Sequence, residues 1–244
     1  MSEGLDGFGS IVPELHAILG RLYKHGLITS LVMASVSPLS LSVSALAAVR
    51  GESRLFSELS FEVAPGQLLF IQGGNGCGKT SLLYILAGLR LPEAGTVAWA
   101  GTNIEQLGKL YHSQLCFVGH QNGVKAELTV WENIQGFQSL KPGNAESIQA
   151  SIDAIGLAGY EDNMAYQLSS GQQRRLALSR LLFSNQPLWI LDEPFTSLDK
   201  ASIRLFESQL LAHSQRGGIV ILTSHQAVDL SGGKAIHLQL DRVA

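Results

Sequence analysis

The chain has 244 residues, 45% of them apolar and only 15% charged, enough apolar material for one globular domain with a subdomain and too little charge for an intrinsically disordered chain. Lysine and arginine total 17 against 20 aspartate and glutamate, so the chain lacks the basic excess that nucleic-acid binding requires, and nucleic acid is not an expected partner. Two cysteines, Cys77 and Cys116, are too few for a disulfide framework or a zinc cluster.

Residues 1–32 share no period with the rest of the chain. They contain Pro13-Glu14-Leu15-His16-Ala17-Ile18-Leu19, a short amphipathic pattern, and Met33 immediately precedes the first strand pattern as a second candidate start codon. We therefore read residues 1–32 as an N-terminal extension and 33–244 as the working domain. Residues 27–49 carry no charge, and as a helix they would be about 35 Å long, enough to cross a bilayer. Seven of them are Ser or Thr, Pro38 lies in the middle, and Leu39-Ser40-Leu41-Ser42-Val43-Ser44 alternates with period two, so a half-buried strand is the expectation.

Beyond Arg50, strands are predicted over 55–63 and 68–72, divided by the turn Ala64-Pro65-Gly66, and a helix over 79–89. Short apolar runs at 96–99, 115–118, 188–191 and 219–223 predict further strands, the last two with the continuous hydrophobicity of parallel strands covered on both faces. Together they make a mixed, mostly parallel sheet. Ile148, Ile152 and Ile155, then Leu176, Leu178 and Leu181, have the spacing of buried helix faces, which predicts a helical subdomain over about 122–180.

The string Gly73-Gly74-Asn75-Gly76-Cys77-Gly78-Lys79-Thr80, followed by Ser81, fits GxxxxGK[ST] between a predicted strand and a predicted helix. Its glycines let consecutive N–H groups converge on an anion, and the helix start adds about half a positive charge. Lys79 is placed to reach the β- and γ-phosphates of ATP, and Thr80 offers a hard oxygen to Mg²⁺. The lysine and the helix dipole also predict a reactive, nucleotide-protected Cys77 thiol. The strand Leu188-Trp189-Ile190-Leu191 ends in Asp192 and Glu193, which suits Asp192 to holding Mg²⁺ and Glu193 to orienting or deprotonating the attacking water. Leu168-Ser169-Ser170-Gly171-Gln172-Gln173 precedes a helix predicted over 174–182 and forms a second anion site with no nucleotide of its own in reach.

That last stretch resembles the signature motif of the ATP-binding cassette family, and Gln121, Ser197-Leu198-Asp199 and His225 match that family's Q-loop, D-loop and switch histidine in order and spacing. The resemblance covers about residues 40–240. It implies an α/β fold, a RecA-like P-loop NTPase core with a mixed sheet, an antiparallel β subdomain and a helical subdomain. It implies two cassettes stacked head to tail, with Ser169, Ser170, Gly171 and Gln172 of one facing the phosphate loop of the other. Gln121 then reaches Mg²⁺ or the water when the helical subdomain rotates inward, and His225 contacts the γ-phosphate. At the position where the family stacks an aromatic side chain on adenine this chain has Arg50, whose planar guanidinium also stacks on a base but less selectively. Ser170 stands where Gly is commoner.

Gly119-His120-Gln121-Asn122-Gly123-Val124-Lys125-Ala126-Glu127, Tyr111-His112, the turn Trp99-Ala100-Gly101 and the run Gln172-Gln173-Arg174-Arg175 resemble the cassettes of cytochrome c maturation. This implies an ATPase at the cytoplasmic face of the bacterial inner membrane, docked through 122–130 to an integral membrane subunit, paired with a second copy of itself and coupled to haem export or release of a haem-loaded chaperone. Haem itself is not expected to bind this chain through His112 or His120. The alternatives are a cassette for another small solute and a soluble cassette without a membrane partner. For the soluble form, the basic charge and double cassette that such proteins usually show are missing here.

Overall fold

The computed structural model describes residues 39–139, 147–224 and 232–241. The extension 1–32, its pattern at 13–19, Met33 and the expected switch residue His225 lie outside the described residues.

The charge-free stretch enters the described structure as a strand. β1 (Leu41–Arg50) is the inner strand of an antiparallel sheet, with β2 (Ser53–Val63) on one side, β4 (Ala94–Trp99) on the other and the short β5 (Thr102–Asn103) beyond β4. Its inward positions change parity: Leu41 and Val43 are buried, then Leu46 and Ala48. A bulge makes the change. Ala45 has φ 47°, and the register slips from Val43↔Phe61 to Leu46↔Leu59, so one extra residue on β1 returns the apolar side chains to the core. Among the described residues no helix is long and apolar enough to cross a membrane.

The second sheet is wholly parallel, in the order β6 (Leu115–Val118), β7 (Leu188–Leu191), β8 (Ile219–Thr223), β3 (Gln67–Gln72) and β9 (Lys234–Gln239). The antiparallel and parallel pairings therefore sit in separate sheets. Every residue of β7 and β8 is buried, because alternate side chains feed two different cores. Leu69, Ile71, Leu188, Ile190, Ile219 and Ile221 join β1, β2, β4 and the helix α1 (Lys79–Leu86) in one cluster. Leu68, Phe70, Trp189, Leu191, Val220 and Leu222 face the other way. They pack with α4 (Val130–Ser139), α5 (Ile148–Ala154), α6 (Ser170–Leu178) and α7 (Lys200–Gln215). The short helices α2 (Ile104–Leu107) and α3 (Lys109–Ser113) lead back into β6.

Two expected boundaries move. The helix after the phosphate loop stops at Leu86, since Gly88 turns the chain at φ 67°. The helix expected over 174–182 starts at Ser170, because Ser169 and Gln172 form a capping box that begins it four residues earlier, and it gives way to a 3-10 turn at Ser179–Leu181. α7 and β9 are elements for which the sequence reading had no prediction. Asp199 as an N-cap with Phe206 and Leu210 at helical spacing is the missed signal for the first, and Ile236/Leu238 alternation for the second.

Candidate functional site

The site lies at the C-terminal edge of the parallel sheet, where β3 runs into the phosphate loop and β7 into the acidic pair, with β8 between them. The register sets Leu191 beside Leu222 and Ile71 beside Thr223, so the end of β8 bridges the two motifs. A cavity of about 580 Å³ opens there. It is lined by the expected Arg50, Asn75, Gly76, Gly78, Lys79, Thr80, Ser81, Asp192 and Glu193.

Tight packing shapes the loop. A Cβ on Gly73 (φ 146°) would stand 2.4 Å from the Leu240 carbonyl oxygen and 2.7 Å from Cys77 Sγ, and one on Gly78 (φ 104°) would touch Leu55 and Phe56. Both positions favour glycine, and of the two Gly78 lines the cavity. Gly74 also belongs to the loop but does not line the cavity; its carbonyl oxygen, with that of Gly73, accepts hydrogen bonds of 3.2 and 2.8 Å from Lys79 Nζ. The lysine is 8% exposed, and these bonds hold its charge at the loop.

Cys77 corrects an expectation. Its side chain is 2% exposed and belongs to the core beneath the loop, so burial screens the thiol from alkylating reagents. What Cys77 offers the loop is its backbone, whose N–H donates to the Gly74 carbonyl at 3.3 Å.

Thr223, absent from the sequence reading, organises the acids. Its hydroxyl donates to Asp192 Oδ1 at 2.8 Å and accepts from the Glu193 N–H at 2.9 Å. Asp192 is 2% exposed, and its Oδ2 is buried with no hydrogen-bond partner among the described residues. A buried carboxylate oxygen with no donor beside it, sharing a cavity with the Thr80 hydroxyl, is a donor set that fits a hard divalent cation such as Mg²⁺. Glu193 has φ 49°, a left-handed conformation that costs about 1–3 kcal/mol in a residue with a side chain and that collects at functional sites.

Other residues of the cavity wall had no place in the sequence reading as nucleotide contacts: Leu55, His120, Phe195, Thr196 and Ser224. Beneath the wall, Arg90 donates to Ser81 Oγ at 3.3 Å and to the Val49 carbonyl oxygen, which fixes the backbone entering Arg50. Gln121 is exposed and outside the lining; its neighbour His120 is inside it.

The signature residues lie away from this cavity. Ser169 Oγ accepts from the Gln172 N–H at 3.3 Å and Gln172 Oε1 from the Ser169 N–H at 2.8 Å, while Ser170 is exposed. Gly171 is required by the D-loop, since a Cβ there would lie 2.6 Å from the Ser197 carbonyl oxygen. Ser197 has φ 66°, and Asp199 caps α7 by accepting from the Ser202 N–H at 2.7 Å. That bond holds the Asp199 carboxyl below its ordinary range.

The family described as ABC transporter matches residues 56–196. The chain is similar to the "Cytochrome c biogenesis ATP-binding export protein CcmA" of Photobacterium profundum, 48% identical over 199 residues covering 76% of this chain and 92% of that protein. It is also similar to the protein of the same name from Haemophilus influenzae, 47% identical over 82% of this chain and 92% of that one. Among solved structures, a putative ABC transporter ATP-binding protein from Pyrococcus furiosus superposes with a TM-score of 0.69 at 21% identity, over 82% of this chain and 97% of that chain. The structure described as the dimeric form of MJ0796, a bacterial ABC transporter cassette, does so with a TM-score of 0.69 at 22% identity, over 82% and 94%. With a phosphate loop, an acidic strand end and a capped signature helix on this fold, and with relatives at this identity over most of their length, the chain belongs to the ABC transporter family of ATP-binding cassettes.

Proposed function

We propose that this chain is the ATP-hydrolysing subunit of a transporter complex in c-type cytochrome biogenesis, seated on the cytoplasmic face of the inner membrane. Its turnover drives haem export or release of a haem-loaded chaperone. The observation that carries the hydrolytic part is the single cavity in which Lys79 and Thr80 face Asp192 and Glu193. The pathway rests on the likeness to CcmA proteins.

In this reading the loop N–H groups and the start of α1 bind the phosphates, and Lys79 shifts its Nζ from the Gly73 and Gly74 carbonyls to the β- and γ-phosphate oxygens. Arg50 stacks on the adenine, and Arg90 keeps the backbone before it in place. Thr80 and Asp192 would hold Mg²⁺, joined by Gln121 when the helical subdomain rotates inward, and the bound ion would neutralise charge on the phosphates. Glu193 accepts the proton of the water that attacks the γ-phosphorus, and ADP leaves with the broken bond's electron pair; such a base contributes about 10²–10⁴ in rate. His225 contacts the γ-phosphate.

The second anion site completes the arrangement. Ser169, Ser170, Gly171 and Gln172 of one copy close over the phosphates held by the other, and Ser197 and Asp199 lie at the seam. The close approach of Gly171 to Ser197 supports their acting together, and so does the description of MJ0796 as a dimer. The membrane subunit docks on 122–130. Exposed Met164 and Tyr166 extend that surface, because the Ala165 and Tyr166 N–H groups bond to the carbonyls of Leu128 and Ala126.

Deleting the gene tests the pathway. Haem staining of membrane proteins is expected to show loss of c-type cytochromes, restored by the wild-type gene and not by Lys79→Ala. Undiminished c-type cytochromes in the deletion strain would refute this role.

A further inference from the structure

We infer that Arg174 is a positioning residue for ATP hydrolysis, whose guanidinium sets the turn that aims Glu193 and ties that turn both to the signature helix and to the Q-loop. The inference rests on the proposed role of Glu193.

Arg174 sits one turn into α6, in the helix that Ser169 caps, and its side chain is 4% exposed. All five N–H donors of the guanidinium are used. Nε donates to the Pro194 carbonyl at 3.1 Å, and Nη2 to the carbonyls of Asp192 at 2.8 Å and Glu193 at 2.9 Å. Nη1 donates to the Gly119 carbonyl and to Asn122 Oδ1, both at 3.0 Å.

Three consecutive carbonyls, those of residues 192 to 194, thus converge on one cation. An extended strand alternates its carbonyls, so convergence demands a sharp turn, and Glu193 supplies it at φ 49°. The cation offsets the repulsion of the gathered carbonyl dipoles and makes the strained turn the stable one. The same group grips both sides of His120-Gln121. Burial lowers the guanidinium pKa to about 10, with Asp192 and Glu193 opposing that shift, so the group remains charged at neutral pH. One rigid plane therefore connects the acids that act on this chain's own nucleotide, the helix whose start faces the partner's nucleotide, and the loop between the sheet and the helices. A lysine has the charge but not the planar fork, and cannot span five acceptors.

The test is steady-state hydrolysis by the purified full chain, with ATP binding by calorimetry and thermal unfolding measured alongside. Arg174→Gln is expected to lower kcat by about 10²-fold through misplacement of Glu193. KM and ATP affinity are expected to remain within about threefold of wild type, and Arg174→Lys to recover part of the lost kcat. A kcat for Arg174→Gln within about twofold of wild type, a loss of kcat no larger than the unfolded fraction accounts for, or a KM raised in step with the loss of kcat, overturns the inference. If Arg174→Gln does not fold, Asn122→Ala removes one of the five acceptors. It should reduce kcat by about three- to tenfold at unchanged KM, and an unchanged kcat overturns the inference. Glu193→Gln is assayed in parallel. Full activity in that variant defeats the reading of the site itself, whereas an inactive Glu193→Gln beside an active Arg174→Gln defeats the positioning role alone.

Discussion

Lys79 and Glu193 occupy the same cavity but make different demands on it. Lys79 is held by two carbonyls of its own loop, so its ammonium is placed before nucleotide arrives. Lys79→Ala is therefore expected to abolish ATP binding in calorimetry. Glu193→Gln keeps the shape and removes the proposed base, so turnover should fall by about 10²–10⁴ while ATP affinity is retained. Equal loss of binding in both variants would contradict this division of roles. Cys77 shows the limit of reading chemistry from neighbours in sequence: the lysine and helix start beside it suggest reactivity, but its side chain turns into the core.

At the scale of elements, α6 serves two masters through its first turn. The reciprocal bonds of Ser169 and Gln172 fix where the helix begins, and Gly171 lets it approach the Ser197 carbonyl. Ser169→Ala removes the cap and should cost about 1 kcal/mol. In a chain of this size, that corresponds to a thermal midpoint lower by about 2–4 °C. Because the same hydroxyl is proposed to meet the partner's γ-phosphate, hydrolysis should fall further than stability does. Calorimetric unfolding and ATPase assays on one preparation separate the two effects, and a proportional decline in both would assign Ser169 to capping alone. β8 shows a similar economy: its last residue, Thr223, is 0% exposed and commits both hydrogen-bonding functions to the acids at the end of β7.

For the molecule as a whole, two cores on opposite faces of the parallel sheet hold the phosphate loop and the acids in register. Trp189 of β7 illustrates how the sheet is sealed on the helical side. It is 1% exposed, donates from Nε1 to Ser184 Oγ at 2.9 Å and stacks on His213 of α7 with ring centroids 3.9 Å apart. Burial pushes the His213 pKa down to about 4, and its Nε2 is buried without a hydrogen-bond partner among the described residues. The unfolded chain takes up this proton near pH 6.5 and the folded chain only near 4, so stability is full above pH 6.5 and is lost as pH falls between those values. The difference amounts to about 2 kcal/mol between pH 7 and pH 5. Urea unfolding at the two pH values should show it, and His213→Gln should reduce the difference by that amount. An unaltered pH dependence in the variant would show that His213 titrates alike in the folded and unfolded chain.

The sequence alone determined the motifs whose chemistry is local: GxxxxGK[ST] between a strand and a helix, the apolar run ending in Asp192 and Glu193, and the order of the segments between Gln121 and Asp199. Each is legible because covalent spacing and residue type suffice to name a candidate chemistry. The continuous apolar runs of β7 and β8 likewise announced strands covered on both faces, because burial on two sides leaves no polar position. Tertiary structure alone decided which groups meet. Thr223, Arg90 and Arg174 act across 31, 41 and as many as 55 residues of chain. A hydroxyl or guanidinium carries no sign in sequence of which distant carbonyl it will find. The bulge at Ala45 and the inward turn of Cys77 belong to the same class, since the direction of a side chain depends on how sheets and helices pack against each other and only secondarily on its neighbours along the chain.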